Sequence, residues 1–129
     1  MVSNYKIECA KRGVDPLELS GPSDSRTVFQ ACREGDEVAL AAMDVMAKYL
    51  GRALAVLATV VDPEAFVLGG GASASADVYL ERLKGYYQRY TLAVCRDTPI
   101  EIATLGNDAG IIGAAYVALQ AAYSALQTA

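Results

Sequence analysis

Apolar residues recur at three- and four-residue steps from about Asp36 to Val60. Val38, Ala41, Ala42, Val45, Met46, Tyr49, Leu50, Ala53 and Leu57 would share one face, with Glu37, Asp44, Lys48 and Arg52 mostly on the other. This spacing predicts a long amphipathic helix, capped by Asp36 and stopped at Asp62-Pro63, because proline lacks an amide donor and disfavours helical geometry in the residue before it. Its last section, Ala53 to Val61, is apolar nearly all round and is expected to be covered by other elements or by a partner molecule. Upstream, Val2 to Lys11 has a weaker helical pattern that Gly13 would end, and DPLELSGPSDS, Asp15 to Ser25, has the composition of a surface connection. A Thr27 hydroxyl three residues before Gln30 predicts a short helix to Glu34, with Gly35 past its end. A third helix is expected over Asp77 to Thr91, where Val78, Leu80, Leu83, Tyr86, Tyr87 and Tyr90 alternate with charged residues. In the absence of a basic groove, it reads as a solvated helix whose tyrosines pack at their ring edges, not as a platform for stacking bases. A last helix, Ala109 to Leu126, would be capped by Asn107 or Asp108, and its small residues Ala109, Gly110, Gly113, Ala114 and Ala115 would permit close approach of another element.

Between the helices lie two short runs with strand character. Ala65 to Leu68 reads as a strand buried on both faces and ends in Gly69, Gly70 and Gly71, followed by Ser73, Ser75 and the helix at Asp77. Strand, glycine turn and helix in this order let a backbone approach a phosphate closely, since glycine has no Cβ and a helix start offers free amides at the positive end of its dipole. Gly69, Gly70, Gly71 and Ser73 are therefore the candidate nucleotide-binding residues. The run contains neither GxGxxG nor GxxxxGK[ST], so on spacing alone a tight strand-to-helix turn explains the glycines equally well. PIEIATL, Pro99 to Leu105, predicts a second strand, and the two strands with the helix between them form a right-handed βαβ unit with parallel strands.

Composition narrows the setting of this unit. With 129 residues, 53% hydrophobic and 20% charged, a single soluble domain over residues 1–129 is expected. The net charge of −4 is interspersed and there is no Lys/Arg run, which argues against nucleic acid or an anionic membrane as a partner. MVSNYKIECAKRG lacks the apolar core of a signal peptide, and the longest apolar stretches are broken by Lys48, Arg52 and Asp62, so a cytoplasmic location is the expectation. Cys9, Cys32 and Cys95, with no histidine in the chain, indicate neither a disulfide framework nor a zinc site and read as reduced, half-buried thiols.

FVLGGGAS, Phe66 to Ser73, followed by ATLGNDAGIIGAAYVAL, Ala103 to Leu119, resembles the C-terminal part of bacterial ROK-family sugar kinases, which include many glucokinases and related repressors. The resemblance extends upstream through VFQACREGDEVALAAMDVMAKYLGRALAVLATVVDPE, Val28 to Glu64. It implies an α/β fold that is part of the C-terminal lobe of an actin-like ATPase, helix-rich with a short parallel βαβ unit, and a glycine turn lying against ATP. The family's DxGGT phosphate turn, its catalytic Asn-Asp base, its ExGH sugar contact and its zinc-binding CxCGxxGCxE run have no counterpart in the sequence. Asn107-Asp108 matches the segment leading into the family's C-terminal helix and not the catalytic pair.

Phosphoryl transfer needs a magnesium-phosphate clamp and a base near the attacking hydroxyl, and one glycine turn supplies neither. The expectation is a C-terminal segment of a glucokinase-like kinase that uses ATP with Mg2+ on a hexose in the full-length protein. This segment would be inactive alone, would bind ATP or ADP weakly, and would form a homodimer. The alternative is a non-enzymatic ROK-like regulatory or dimerisation domain.

Overall fold

The computed structural model describes residues 1–17 and 24–127. Helix α1, Val2–Arg12, ends where Gly13 turns left-handed at φ 66°, with Lys11 and Arg12 near the negative end of its dipole. Helix α2, Asp24–Arg33, begins three residues before the expected Thr27 cap, which places Thr27 inside its first turn. The expected surface connection is thus irregular at 15–17 and helical from Asp24, and its residues 18–23 lie outside the described residues. Helix α3, Glu37–Val61, starts as expected, with the Asp36 carboxylate accepting the Ala39 amide at 2.7 Å, and stops with Asp62 left-handed at φ 47° ahead of Pro63.

The buried face of α3 is rotated from the expected one. Val38, Ala39, Ala42, Met43, Ala47, Gly51, Leu54, Ala55 and Ala58 are buried, whereas Tyr49, Ala53 and Leu57 are exposed and Ala41, Val45, Met46 and Leu50 only half-buried. The reason is that α3 is apolar on more than one face, and close packing selected the stripe with the smallest side chains. Helix α4, Ala76–Tyr90, crosses α3 at Gly51, where an added Cβ would stand 2.8 Å from Tyr86 Cβ and 2.9 Å from the Tyr87 backbone nitrogen. Only a residue without a side chain fits there.

Nor is α4 a solvated helix with edge-packed tyrosines. Ala76, Tyr79, Leu83 and Tyr87 form a buried stripe at helical spacing; the Tyr79 ring lies 5.8 Å from Phe29 of α2, and the Tyr87 hydroxyl donates to the Cys95 carbonyl. On its outer side the rings of Tyr86 and Tyr90 lie nearly parallel and offset, with centroids 6.3 Å apart, and the Tyr86 hydroxyl donates to Asp44 of α3 at 2.7 Å. The three cysteines are buried, not half-buried, and form no disulfide, each serving as a small apolar side chain of the core.

Strand β1, Phe66–Leu68, pairs in parallel with β2, Ile100–Ile102, in the register Phe66 to Ile100 and Leu68 to Ile102. The ladder is extended by the Phe66 amide donating to the Pro99 carbonyl and the Ala103 amide to the Leu68 carbonyl. Phe66 meets Tyr87 edge-on at 5.9 Å, seating one face of the sheet on α4. The other face is open: Val67 is exposed, so β1 is not buried on both faces as expected, since no element among the described residues covers that side. The section Ala53 to Val61 is covered on one side only, with Val56, Leu57, Val60 and Val61 exposed. A final helix, α5, Ala109–Gln127, follows a single turn of 3-10 helix at Gly106–Asp108, and every side chain from Ala109 to Ser124 is exposed. The side chain of Asn107, one of the two expected caps, lies outside the described residues.

Candidate functional site

The glycine turn leaves β1 at the carboxyl end of the parallel pair, where ligands gather in open α/β sheets because adjacent loops diverge there. Gly70 adopts φ +82°, a left-handed conformation that favours glycine, and accepts from both the Ser73 amide at 3.1 Å and the Ser73 hydroxyl at 2.7 Å. Ser73 is accordingly buried, and its hydroxyl proton is used to hold the turn. A Cβ on Gly69 would come within 3.6 Å of Ala103 Cβ, an ordinary contact, so Gly69 backs onto the second strand. Gly71 makes no hydrogen bond among the described residues and has open space where its Cβ would be, which leaves its backbone accessible to a ligand.

A second turn faces the first. After β2 the chain bends through Thr104 and Leu105 to Gly106, which is left-handed at φ +52°. The two turns enclose a crevice of about 260 Å³ lined by Gly70, Gly71, Ser73, Thr104 and Gly106, with Arg26 of α2 reaching into it. Three of the four sequence-derived candidates are thus together in one site, and Gly69 lies behind it. Beside it a cleft of about 630 Å³ is lined by Leu17, Thr27, Gln30 and Ala31 on one side and by Gly71, Ala74 and Ser75 on the other. Arg26, Gly71 and Ala74 line both spaces, which makes them neighbouring compartments of one depression.

The frame around the depression is held by a two-pronged ion pair. Arg33 at the end of α2 donates from Nε and Nη2 to the two carboxylate oxygens of Asp77, each at 2.8 Å, tying α2 to the first turn of α4. The bond to Arg33 holds the Asp77 carboxyl below its ordinary range against a smaller opposing effect of desolvation. Asp77 also sits in the first turn of α4, where the helix dipole favours a negative charge. Sequence reasoning missed Arg26, the Thr104–Gly106 turn and this ion pair. GND at Gly106–Asp108 was a visible signal for the second turn, but Arg26 and Arg33 lie on a helix more than thirty residues from the glycines, and nothing in their local sequence points there.

No carboxylate among the described residues lines the crevice, so its donors fit an anion such as a phosphate and not a magnesium ion. Also among the described residues, no group of three or more His, Cys, Asp or Glu side chains could hold a metal, and no helix is long and apolar enough to cross a membrane.

The chain is 41% identical over 101 residues to a glucokinase of Halalkalibacterium halodurans, covering 78% of this chain and 31% of that protein. It is 36% identical over 120 residues to an N-acetylmannosamine kinase of Haemophilus influenzae, covering 84% of this chain and 39% of the relative. The chain therefore spans about a third of the length of these relatives. Among solved structures, a ROK family glucokinase from Streptomyces griseus in complex with glucose and AMPPNP superposes with a TM-score of 0.69 at 27% identity, over 93% of this chain and 38% of that one. A ROK hexokinase from Thermus thermophilus superposes with a TM-score of 0.66 at 31% identity, over 89% of this chain and 37% of the hexokinase. The helix-rich α/β arrangement with its short parallel sheet is accordingly part of an actin-like sugar-kinase fold. Residues 16–121 match the ROK family, and the chain belongs to it.

Proposed function

We propose that this chain forms the nucleotide side of the active cleft of an ATP-dependent sugar kinase that phosphorylates glucose or a related hexose in the cytoplasm. The observation that carries the reading is the crevice between the Gly70–Ser73 and Thr104–Gly106 turns, whose open glycine backbone and Arg26 cation suit a phosphate chain. The names of its relatives, and the AMPPNP and glucose held by one structural neighbour, support ATP and a hexose as substrates.

In phosphoryl transfer the protein acts mainly by positioning and by stabilising charge, and these turns would hold the donor phosphates in place. Glu34 is the one carboxylate among the described residues lining the two compartments, and it accepts from Gln30 at 2.9 Å. No other carboxylate among the described residues lines either compartment to deprotonate a sugar hydroxyl, and on this proposal the chain alone is inactive. The test is an NMR titration of the chain with ADP. Weak binding that shifts the amides of Gly70, Gly71 and Gly106 is expected, together with its loss in Gly70→Val, whose branched side chain cannot follow φ +82° without strain. Shifts confined to other residues would overturn the placement, and glucose phosphorylation by the chain alone would overturn the division of labour.

A second copy of this chain as partner is favoured by its surface. The accessible surface is 8483 Å² for 13.6 kDa. A compact monomer of that mass exposes about 6,600 Å². The excess of roughly 1,900 Å² exceeds the ~800 Å² that a standard interface takes from each partner. It includes two uncharged apolar faces, Val56 to Val61 on α3 and Ile111 to Leu119 on α5. A closed two-fold dimer covering both is the simplest arrangement. Sedimentation at micromolar concentration should give twice 13.6 kDa, and a concentration-independent monomer would exclude it. The same faces would serve a purely regulatory dimerisation domain, and ADP binding at the glycine turn separates that alternative from a kinase.

A further inference from the structure

We propose that Arg26 binds the phosphate chain of the nucleotide at the point where the smaller compartment, which takes the phosphates, opens into the larger one, which takes the base and ribose. The inference rests on the nucleotide reading above and adds to it a residue, a binding direction and a division of the depression.

Charge accounting singles out Arg26. Of the charged residues lining the two compartments, Arg33 has its guanidinium nitrogens on both oxygens of Asp77, and Glu34 accepts from Gln30. Arg26 is exposed and makes no hydrogen bond or ion pair among the described residues. No pairing among the described residues uses its charge. It is the third residue of α2, and a cation in the first turn of a helix opposes the helix dipole. A charge that folding does not use, at the end of a helix that disfavours it, is what a site that must attract an anion requires.

The two compartments differ in the chemistry they offer. The smaller presents open backbone at Gly71, and no carboxylate lining it among the described residues competes for the planar five-donor guanidinium of Arg26. The larger presents the apolar side chains of Leu17, Ala31 and Ala74 beside the polar Thr27, Gln30 and Ser75, with Arg33 and Glu34 already paired, a mixture of apolar surface and hydrogen-bonding groups that suits a base and ribose. Arg26 lines both, so a nucleotide spanning the depression brings its phosphates past this side chain.

Adenosine and ADP separate the contributions. Calorimetric or NMR titration of the whole 129-residue chain should show ADP affinity falling about ten-fold in Arg26→Ala, adenosine affinity unchanged, and most of the ADP affinity restored in Arg26→Lys. The thermal midpoint of Arg26→Ala should equal that of the wild type or exceed it slightly, since the side chain is exposed and no pairing among the described residues is lost. Equal ADP binding by wild type and Arg26→Ala, or equal loss of adenosine and ADP, would overturn the role of Arg26 while leaving the nucleotide site in place. Failure of ADP to shift Gly70, Gly71 and Gly106 in the wild type would overturn the nucleotide reading itself, and Arg26 with it.

Discussion

Gly51 and Gly113 lie in two alanine-rich helices of similar apolar character, and their surroundings could hardly differ more. A Cβ on Gly51 would collide with Tyr86 Cβ and the Tyr87 backbone of α4, while a Cβ on Gly113 meets nothing within 4 Å. Helix α3 is built into the body by the small-residue stripe Ala39, Ala47, Gly51, Ala55 and Ala58, whereas α5 carries Gly110, Gly113, Ala114 and Ala115 with no buried side chain from Ala109 to Ser124. A stripe of small residues permits close approach and does not create it. What creates it is a second surface of matching shape, here the face of α4 that carries Leu83 and Tyr87.

The sharpest way to break this comparison is to fill the crossing. Gly51→Val should cost more than about 4 kcal/mol or prevent folding, because the nearest obstacles are a Cβ and a backbone nitrogen that cannot swing aside. Urea denaturation measures it, and a variant as stable as wild type would show that α3 and α4 do not cross there. Next in size, Leu83→Ala on the fully buried side should cost about 3 kcal/mol, against less than about 0.5 kcal/mol for Leu119→Ala on α5, where the side chain is 70% exposed. The same unfolding experiment in dilute solution compares the two, and similar losses would mean that α5 is packed. Smaller again, Gly113→Ala should stabilise the dilute protein by up to about 1 kcal/mol through helix propensity alone, since its Cβ would point into open space. A loss on raising the concentration into the dimer range would show this face to be the one a second copy approaches.

The smallest effect concerns the tie between α2 and α4. Bonding to Arg33 depresses the folded-state pKa of Asp77 below its ordinary value near 3.8, so its contribution to stability is complete above that value and is lost as pH falls through the depressed one. Asp77→Asn should therefore be modestly less stable than wild type at pH 7, with the gap closing in acid below pH 3.8. A gap that stays constant from pH 7 to the acid limit would mean that the carboxylate charge plays no part.

Much of the candidate site was legible because its signals are local. Consecutive glycines after an apolar run mark a turn of unusual backbone geometry, and the left-handed Gly70, held by Ser73, is that turn. The Asp36 cap and the stop at Asp62-Pro63 follow from equally short-range chemistry, and the parallel pairing of β1 with β2 from the strand–helix–strand order. The opposing Thr104–Gly106 turn is not legible in this way, because one glycine after a strand does not announce what it faces.

The sequence by itself determined which segments are helix or strand, to within a few residues at their ends, and where the backbone must turn sharply. Those outcomes depend on φ and ψ preferences and on hydrogen bonds spanning a few residues. Only the tertiary structure decided which side of α3 is inside, that Tyr79 and Tyr87 are core while Tyr86 and Tyr90 stack outside, and that Arg26 and Gly71 share a depression. Where apolar residues encircle a helix, periodicity cannot choose a face. The choice falls to shape at the crossing, and at Gly51 that shape is set by α4, whose nearest contact comes more than thirty residues later in the chain.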